Sequence, residues 1–457
     1  MRMEIMGRGI IGLCLCMLLL FCSVTQAADY TYGDYYNKQL TTTSTGNTRD
    51  PSISGKGDKI VFWSDQDIVG NGNNTNQVFI WTSPSGFTQI SSNDPGLADV
   101  NNTLPSINFT GNRVAYIKLT WAMFAEYLML WKSNESTEII AIGAFTDIDS
   151  CKISGNGTKV AFRADQDFIG GLDDSYQLYL WEDGLGVTTK ITSTRSSYPP
   201  DTSFSISYDG TLAAFATQEN NSPYSGTGNT YRIYMWNKSG STLAPITNTT
   251  SGTGSIEPSI TSYTISTTTG TTSMTKIAFS SDRDLLVGKN PDNNPEIFLW
   301  TIYGSYTSTN TGSYTQITST SVSGGACRNP QISRDGKFVT FTSNVDIVSG
   351  GISLLTGGTS AIFVWNANGV ITQVNTNSSD NPVIASYTGL YESGDIQYGP
   401  RNAYFSTADG SEEIYLTTST IPVPATSRWG LIILILLIAT LAVFMLKRRR
   451  KTDGGEA

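Results

Sequence analysis

The chain contains no histidine among its 457 residues. That absence excludes Ser-His-Asp and Cys-His hydrolases, histidine-ligated zinc and histidine general bases together. Charge is scarce as well: Asp, Glu, Lys and Arg make up 15% of the residues, against about 25% in ordinary globular proteins. Thr, Ser, Asn, Gly and Tyr fill the gap, a mix that suits a turn-rich β protein rather than a helical bundle or a disordered tail. Cysteine is nearly missing from the body of the chain. Cys14, Cys16 and Cys22 lie near the start, leaving Cys151 and Cys327. Two cysteines so far apart make no disulfide framework, and separate buried thiols are expected.

Both termini carry addresses. Residues 1–28 hold Arg2 and Arg8, an apolar run from Ile10 to Phe21, and the small-residue end Ser23-Val24-Thr25-Gln26-Ala27-Ala28. This pattern predicts a signal peptide and export. At the other end, Trp429 to Leu446 is uncharged and is followed by Lys447-Arg448-Arg449-Arg450-Lys451. As a helix this run measures about 27 Å, enough to cross a hydrocarbon core. The basic cluster should stay in the cytoplasm, leaving the bulk of the chain outside. The expected division is a signal peptide at 1–28, a β domain at 29–420, and a Pro-containing motif, transmembrane helix and basic tail at 421–457. The central region carries 21 Lys plus Arg against 35 Asp plus Glu, a net of −14. Such a surface repels nucleic acid and anionic lipid headgroups.

Internal repetition predicts the fold. One unit recurs: a short extended segment, a Gly turn, an apolar strand, a polar loop, and an aromatic strand ending in Trp. The first copy runs Pro51-Ser52-Ile53-Ser54-Gly55, Lys59-Ile60-Val61-Phe62, then Val78-Phe79-Ile80-Trp81, closed by Thr88-Gln89-Ile90-Ser91. The third runs Lys152-Ile153-Ser154-Gly155, Lys159-Val160-Ala161-Phe162, then Leu178-Tyr179-Leu180-Trp181. Trp81, Trp131, Trp181, Trp236, Trp300 and Trp365 mark one repeat position. A seventh copy, with Ala403-Tyr404-Phe405 and Ile414-Tyr415-Leu416, lacks a fourth strand. Tyr36-Asn37-Lys38-Gln39-Leu40-Thr41 imitates the closing segment of copy one and can supply it. Shared chain ends would leave no open sheet edge. The prediction is an all-β, seven-bladed β-propeller; the alternative is six blades with the seventh unit as a separate hairpin. Small Ser52, Ser54, Ser106 and Ser259 on the innermost strands suit crowding at an axis.

Ser205-Ile206-Ser207-Tyr208-Asp209-Gly210 and Gln331-Ile332-Ser333-Arg334-Asp335-Gly336, with the apolar-Ala-Phe strands, resemble the TolB-like, WD-type propeller repeats of exported bacterial proteins. The resemblance spans about 51 to 417. It implies a fold and is nearly silent on activity. The stretch with Ile421, Pro422, Trp429 and Gly430, then the apolar run and basic cluster, resembles bacterial C-terminal sorting signals of the IPTL-CTERM and PEP-CTERM kind. It lacks their Thr-Leu and Pro-Glu-Pro elements. That resemblance implies a membrane sorting protease as a partner.

Candidate chemistry follows from position in the repeat. Ser64-Asp65-Gln66-Asp67, Ala164-Asp165-Gln166-Asp167, Ser281-Asp282-Arg283-Asp284 and Ser343-Asn344-Val345-Asp346 recur at one place. Repetition favours Asp side chains that bind loop N–H groups over a catalytic pair. Calcium is the alternative, with Asp173, Asp174, Asp292, Asn294 and Glu296 as the candidate ligands; otherwise no cofactor is expected. Residues entering the innermost strands converge on one mouth of the axial channel. Asp50, Glu257, Asn329 and Asn381 are the candidate ligand-binding residues there. The expected function is a non-catalytic scaffold that binds protein or glycan at the cell envelope, tethered in the membrane or sorted to the surface. A histidine-free, carboxylate-based glycan-processing enzyme with a bound cation is the alternative.

Overall fold

A computed structural model describes residues 30–32, 35–43, 46–72, 75–92, 100–120, 125–144, 147–169, 175–194, 199–219, 230–248, 253–268, 270–307, 311–351, 354–355, 360–375, 384–385, 401–406 and 412–419. The signal peptide, Asp173, Asp174, Asn381 and the whole of 421–457 therefore lie outside the described residues. Among those described, no helix is long and apolar enough to cross a membrane.

Seven antiparallel sheets form in chain order. Blade 1 comprises Thr48–Ile53, Lys59–Ser64, Gln77–Thr82 and Gly86–Gln89. The next five blades repeat that order from inside to outside, starting at Val100, Ile148, Ser205, Ser255 and Cys327. Blade 7 comprises Ile384–Ala385, Arg401–Ser406 and Glu413–Ser419. Its fourth strand is Tyr35–Gln39, in register as Asn37↔Thr417 and Lys38↔Leu416. A fifth strand, Tyr30–Tyr32, extends the sheet beyond the single strand expected from the sequence.

The second and third strands bury both faces, as Lys59–Ser64 and Gln77–Thr82 do, because every blade is stacked between two others. Seven apolar clusters mark the seven blade interfaces. One joins Ile60 and Phe62 of blade 1 to Ala403 and Leu416 of blade 7, so the ring closes. The aromatic positions of the repeat stack within blades. Phe62 lies 5.9 Å from Phe79, Phe162 5.6 Å from Tyr179, Phe279 5.9 Å from Phe298, and Tyr404 5.2 Å from Tyr415. Such pairs contribute about 0.5–1.5 kcal/mol beyond their burial. Cys151 and Cys327 are separate buried thiols, as expected.

The inner-strand serines do more than fit. The Ser52 hydroxyl accepts the Ile107 N–H at 3.2 Å, Ser106 that of Ile153 at 3.1 Å, Ser205 that of Ile260 at 2.7 Å, and Ser259 that of Ile332 at 3.1 Å. Each serine thus links its blade to the next one at the axis.

A second repeated bond fixes the outer strand. A Ser or Thr just past the fourth strand accepts the second N–H of the third strand: Ser91 for Val78, Thr192 for Leu178, Thr247 for Ile233 and Thr318 for Ile297. In blade 7 the same role falls to Thr41, which accepts from Ile414 at 2.9 Å. The amino-terminal segment therefore completes the repeat in its side chains as well as its backbone.

Candidate functional site: the axial cavity and its mouth

The innermost strands of blades 1 to 6 wall an axial cavity of about 230 Å³. Its two ends differ. Strand directions place the loops between second and third strands at one end, the mouth, and the Gly turns at the other, the floor.

At the mouth end, Asp50, Leu104, Glu257 and Asn329 adopt φ of 50°, 52°, 59° and 54°. Each precedes a proline and sits where the strand register shifts. Proline has no N–H to lose at the unpaired position of a bulge, and a bulge re-aims the side chain beside it. The x-Pro dipeptide was thus the readable sign of these positions. Glu257 and Asn329 line the cavity, and the Asn329 N–H donates to Glu257 Oε2 at 2.6 Å. Burial pushes the Glu257 carboxyl above the ordinary glutamate range, against that N–H and Arg328. Asp50 is not among the cavity-lining residues; its Oδ2 accepts from Trp63 Nε1 at 2.6 Å. The expected mouth set is therefore brought together only in part.

The floor was not foreseen. Positions two before the positive-φ glycine of the turn alternate small and large in blades 1 to 4, as Gly55, Phe109, Gly155 and Tyr208, with Arg334 in blade 6. The Arg334 guanidinium lies 3.6 Å from the Tyr208 ring centre and 4.6 Å from that of Phe109. The two rings meet edge-to-face at 5.7 Å. This stack crosses from blade 6 to blades 2 and 4. Lys152 also lines the cavity, at the repeat position held by serine in four other blades. Aligning the copies column by column was the signal that could have found it.

The recurring acidic motif is structural in all four blades. Asp65 accepts from the Asn47 N–H at 2.8 Å, Asp165 from Asp147 at 2.7 Å, Asp282 from Gly254 at 2.9 Å, and Asn344 from Ala326 at 2.8 Å. The first member thus pins the segment entering each inner strand. The second caps its own loop, as Asp67 does for Asn71 and Gly72 at 2.8 and 2.7 Å. Those N–H groups hold the Asp67 carboxyl below its usual range.

Glu296, one of the candidate calcium ligands, is engaged within its own blade. Its side chain is buried and takes the hydroxyls of Thr318 and Thr320 and the Thr320 N–H. It is the counterpart of Gln77, Gln177 and Glu413, which serve the same outer-strand threonines or serines. An acidic residue at the start of an inward-facing strand reads like a loop ligand in sequence, because direction is not written there. Asp292 and Asn294 bond each other at 2.9 Å. Among the described residues, no three Cys, Asp or Glu side chains are grouped to hold a metal.

Carboxylates do gather between blades 2 and 3. Glu126 accepts the Ile148 N–H beside Asp147 and Asp149, and Asp149 pairs with Arg163. Burial first, then the neighbouring acids against the Ile148 N–H, push Glu126 up to about 7. Burial, against Arg163, pushes Asp149 up to about 6. A carboxyl whose folded pKa is raised favours the fold when protonated. Its stabilising effect is complete below the unfolded pKa and is lost as pH rises through the folded one. Melting temperature should therefore fall between about pH 4 and 7, and Glu126→Gln should flatten the upper part of that slope. A variant with the parent's slope would show that Glu126 does not titrate there.

No protein-family model matches the chain, and no curated protein matches it. Solved structures do. An oligogalacturonate lyase in complex with manganese matches at 14% identity and a TM-score of 0.50, covering 86% of this chain and 96% of that one. An oligogalacturonate lyase from Vibrio parahaemolyticus matches at 12% identity and a TM-score of 0.51, with the same coverage of 86% and 96%. TolB from Acinetobacter baumannii matches at 15% identity and a TM-score of 0.37, over 85% of this chain and 82% of that one. At such identities the likeness extends to the fold alone: the chain is a seven-bladed β-propeller with lyases and TolB among its structural neighbours.

Proposed function

We propose that this protein is a non-catalytic binding module of the cell envelope, exported through residues 1–28 and held by the apolar run at 429–446. Its partner is an envelope protein or glycan that engages the mouth of the axial cavity. A sorting protease acting near Ile421 and Pro422 would release it to the cell surface. One observation carries the reading: a cavity walled by six inner strands, bearing Glu257 at one end and the Arg334 stack at the other. The recurring acidic pairs are engaged by loop N–H groups, which gives them a structural role common to their blades.

The second reading, a carboxylate-based glycan-processing enzyme, is favoured by the raised pKa of Glu257, since a buried carboxyl can serve as a general acid. Both readings meet one test. The full-length protein in detergent is presented to an envelope-glycan array and to envelope proteins, with calcium and without, and products are analysed in parallel. The scaffold reading expects retention without products, unaffected by calcium. It expects Glu257→Gln to weaken binding about tenfold, the loss of one charge-assisted hydrogen bond of 1.5 kcal/mol or so. Products that vanish in Glu257→Gln would establish the enzyme instead.

A further inference from the structure

The strand directions assign each end of the propeller a position relative to the chain's exit. Glu413–Ser419 runs from the mouth end, where Glu413 pairs with Ser406, to the floor end, where Thr418 pairs with Arg401. The chain therefore leaves blade 7 on the floor side. Nine residues, 420–428, separate Ser419 from the apolar run beginning at Trp429. Fully extended they reach about 30 Å.

Charge is divided between the same two ends. The mouth end has ion pairs of its own, Arg49 with Glu412, Arg163 with Asp149, Lys190 with Asp167 and Arg283 with Asp282, but its loops add Asp65, Asp67, Asp165, Asp284 and Asp346, so acidic residues outnumber basic ones there. At the floor end, cations match the carboxylates. Arg113 pairs with Asp183 at 2.7 Å, Lys132 with Glu138 at 3.1 Å, Lys337 with Asp335 at 3.6 Å, and Lys238 with Glu182. Exposed Lys56 adds to the positive side. The net charge of −14 is thus concentrated away from the chain exit, and so is its repulsion from anionic headgroups.

We propose that the floor end is a membrane-facing surface that rests on anionic lipid headgroups and turns the mouth outward. This inference rests on the tether reading above. A short tether on the floor side sets the distance, and the charge division sets the orientation, because tipping the molecule over would press its acidic end against the bilayer. The mouth then stands farther out by the depth of a blade, about 20 Å for a six-residue strand.

The test uses full-length protein in vesicles of phosphatidylethanolamine and phosphatidylglycerol. Cys14, Cys16 and Cys22 are replaced by serine so that they take no label, whereas Cys151 and Cys327, 3% and 0% exposed, can stay beside the introduced cysteine. Ser85→Cys places it on the floor-end turn of blade 1, and Val69→Cys on the mouth-end loop of the same blade. Nitroxide lipids with the label on the headgroup should quench the Ser85→Cys probe several-fold more than the Val69→Cys probe. Equal quenching, or the reverse order, overturns the orientation while leaving the tether intact. Protein that fails to float with the vesicles overturns the tether and this inference with it.

Discussion

Asn37→Ala should lower the unfolding free energy by about 3 kcal/mol, one of the two largest single-residue effects expected. Asn37 is fully buried in the strand that closes the ring. Its Nδ2 donates to the Val374 carbonyl of blade 6 at 2.8 Å. Its Oδ1 accepts from the hydroxyls of Tyr404, at 3.0 Å, and Thr417 in blade 7. Alanine withdraws this partner from three buried groups at once. Each such loss costs about 1–3 kcal/mol, reduced where neighbours relax. Urea denaturation measures the effect. Exposed Thr42 is the control, since Thr42→Ala should change stability by less than about 0.5 kcal/mol. Equal midpoints for the two variants would mean that the closing strand adds little to the stability of the ring.

Gly155→Ala should cost about 2–4 kcal/mol, for a different reason. A Cβ there would lie 2.2 Å from Cδ2 of Tyr208 and 2.8 Å from Cε2. The ring is also packed against Phe109 and Arg334, so moving it disturbs that stack. Overpacking alone costs about 1–3 kcal/mol, and a displaced guanidinium forfeits about 0.5–1 kcal/mol more. Gly184, in the same blade, separates crowding from backbone strain. It has φ 75° with nothing within 4 Å, so Gly184→Ala should cost only about 1 kcal/mol. Combining Gly155→Ala with Tyr208→Ala should remove most of the penalty of the first change, a coupling readable in a double-mutant cycle. Additive penalties would show that the clash is absorbed elsewhere.

The blades were legible because each must bury two faces, and that requirement repeats a Phe or Tyr in the second strand of every copy and a Trp in the third strand of six. Closure was legible because Lys38-Gln39-Leu40 repeats the closing pattern of blade 1. The roles of Asp65 and Asp282 were legible too, since a motif present in four blades serves what all four share. Asn37 was passed over, because nothing local says that an asparagine in a polar strand will be sealed between two sheets. The threonine partners of Glu296 were hidden for a related cause: acidity announces itself in sequence, whereas the direction of a side chain depends on pleat and register. Arg334 and Tyr208 sit at one column of the repeat, yet their meeting depends on the diameter of the ring. That distance is set by how many blades pack together, and no single copy encodes it.

The closing strand also imposes a timetable. Thr41 and Ile414 bond across 373 positions of chain, so Tyr35–Gln39 is made long before its partner strand. Earlier blades can form as they emerge, but the first stretch must wait unpaired until the last blade exists. Long-range pairing of this kind is slow and leaves sticky edges exposed meanwhile. The tyrosine-rich strand Tyr30–Tyr32 folds back on that waiting segment, and a hairpin already formed would cover one edge of it before its partner arrives.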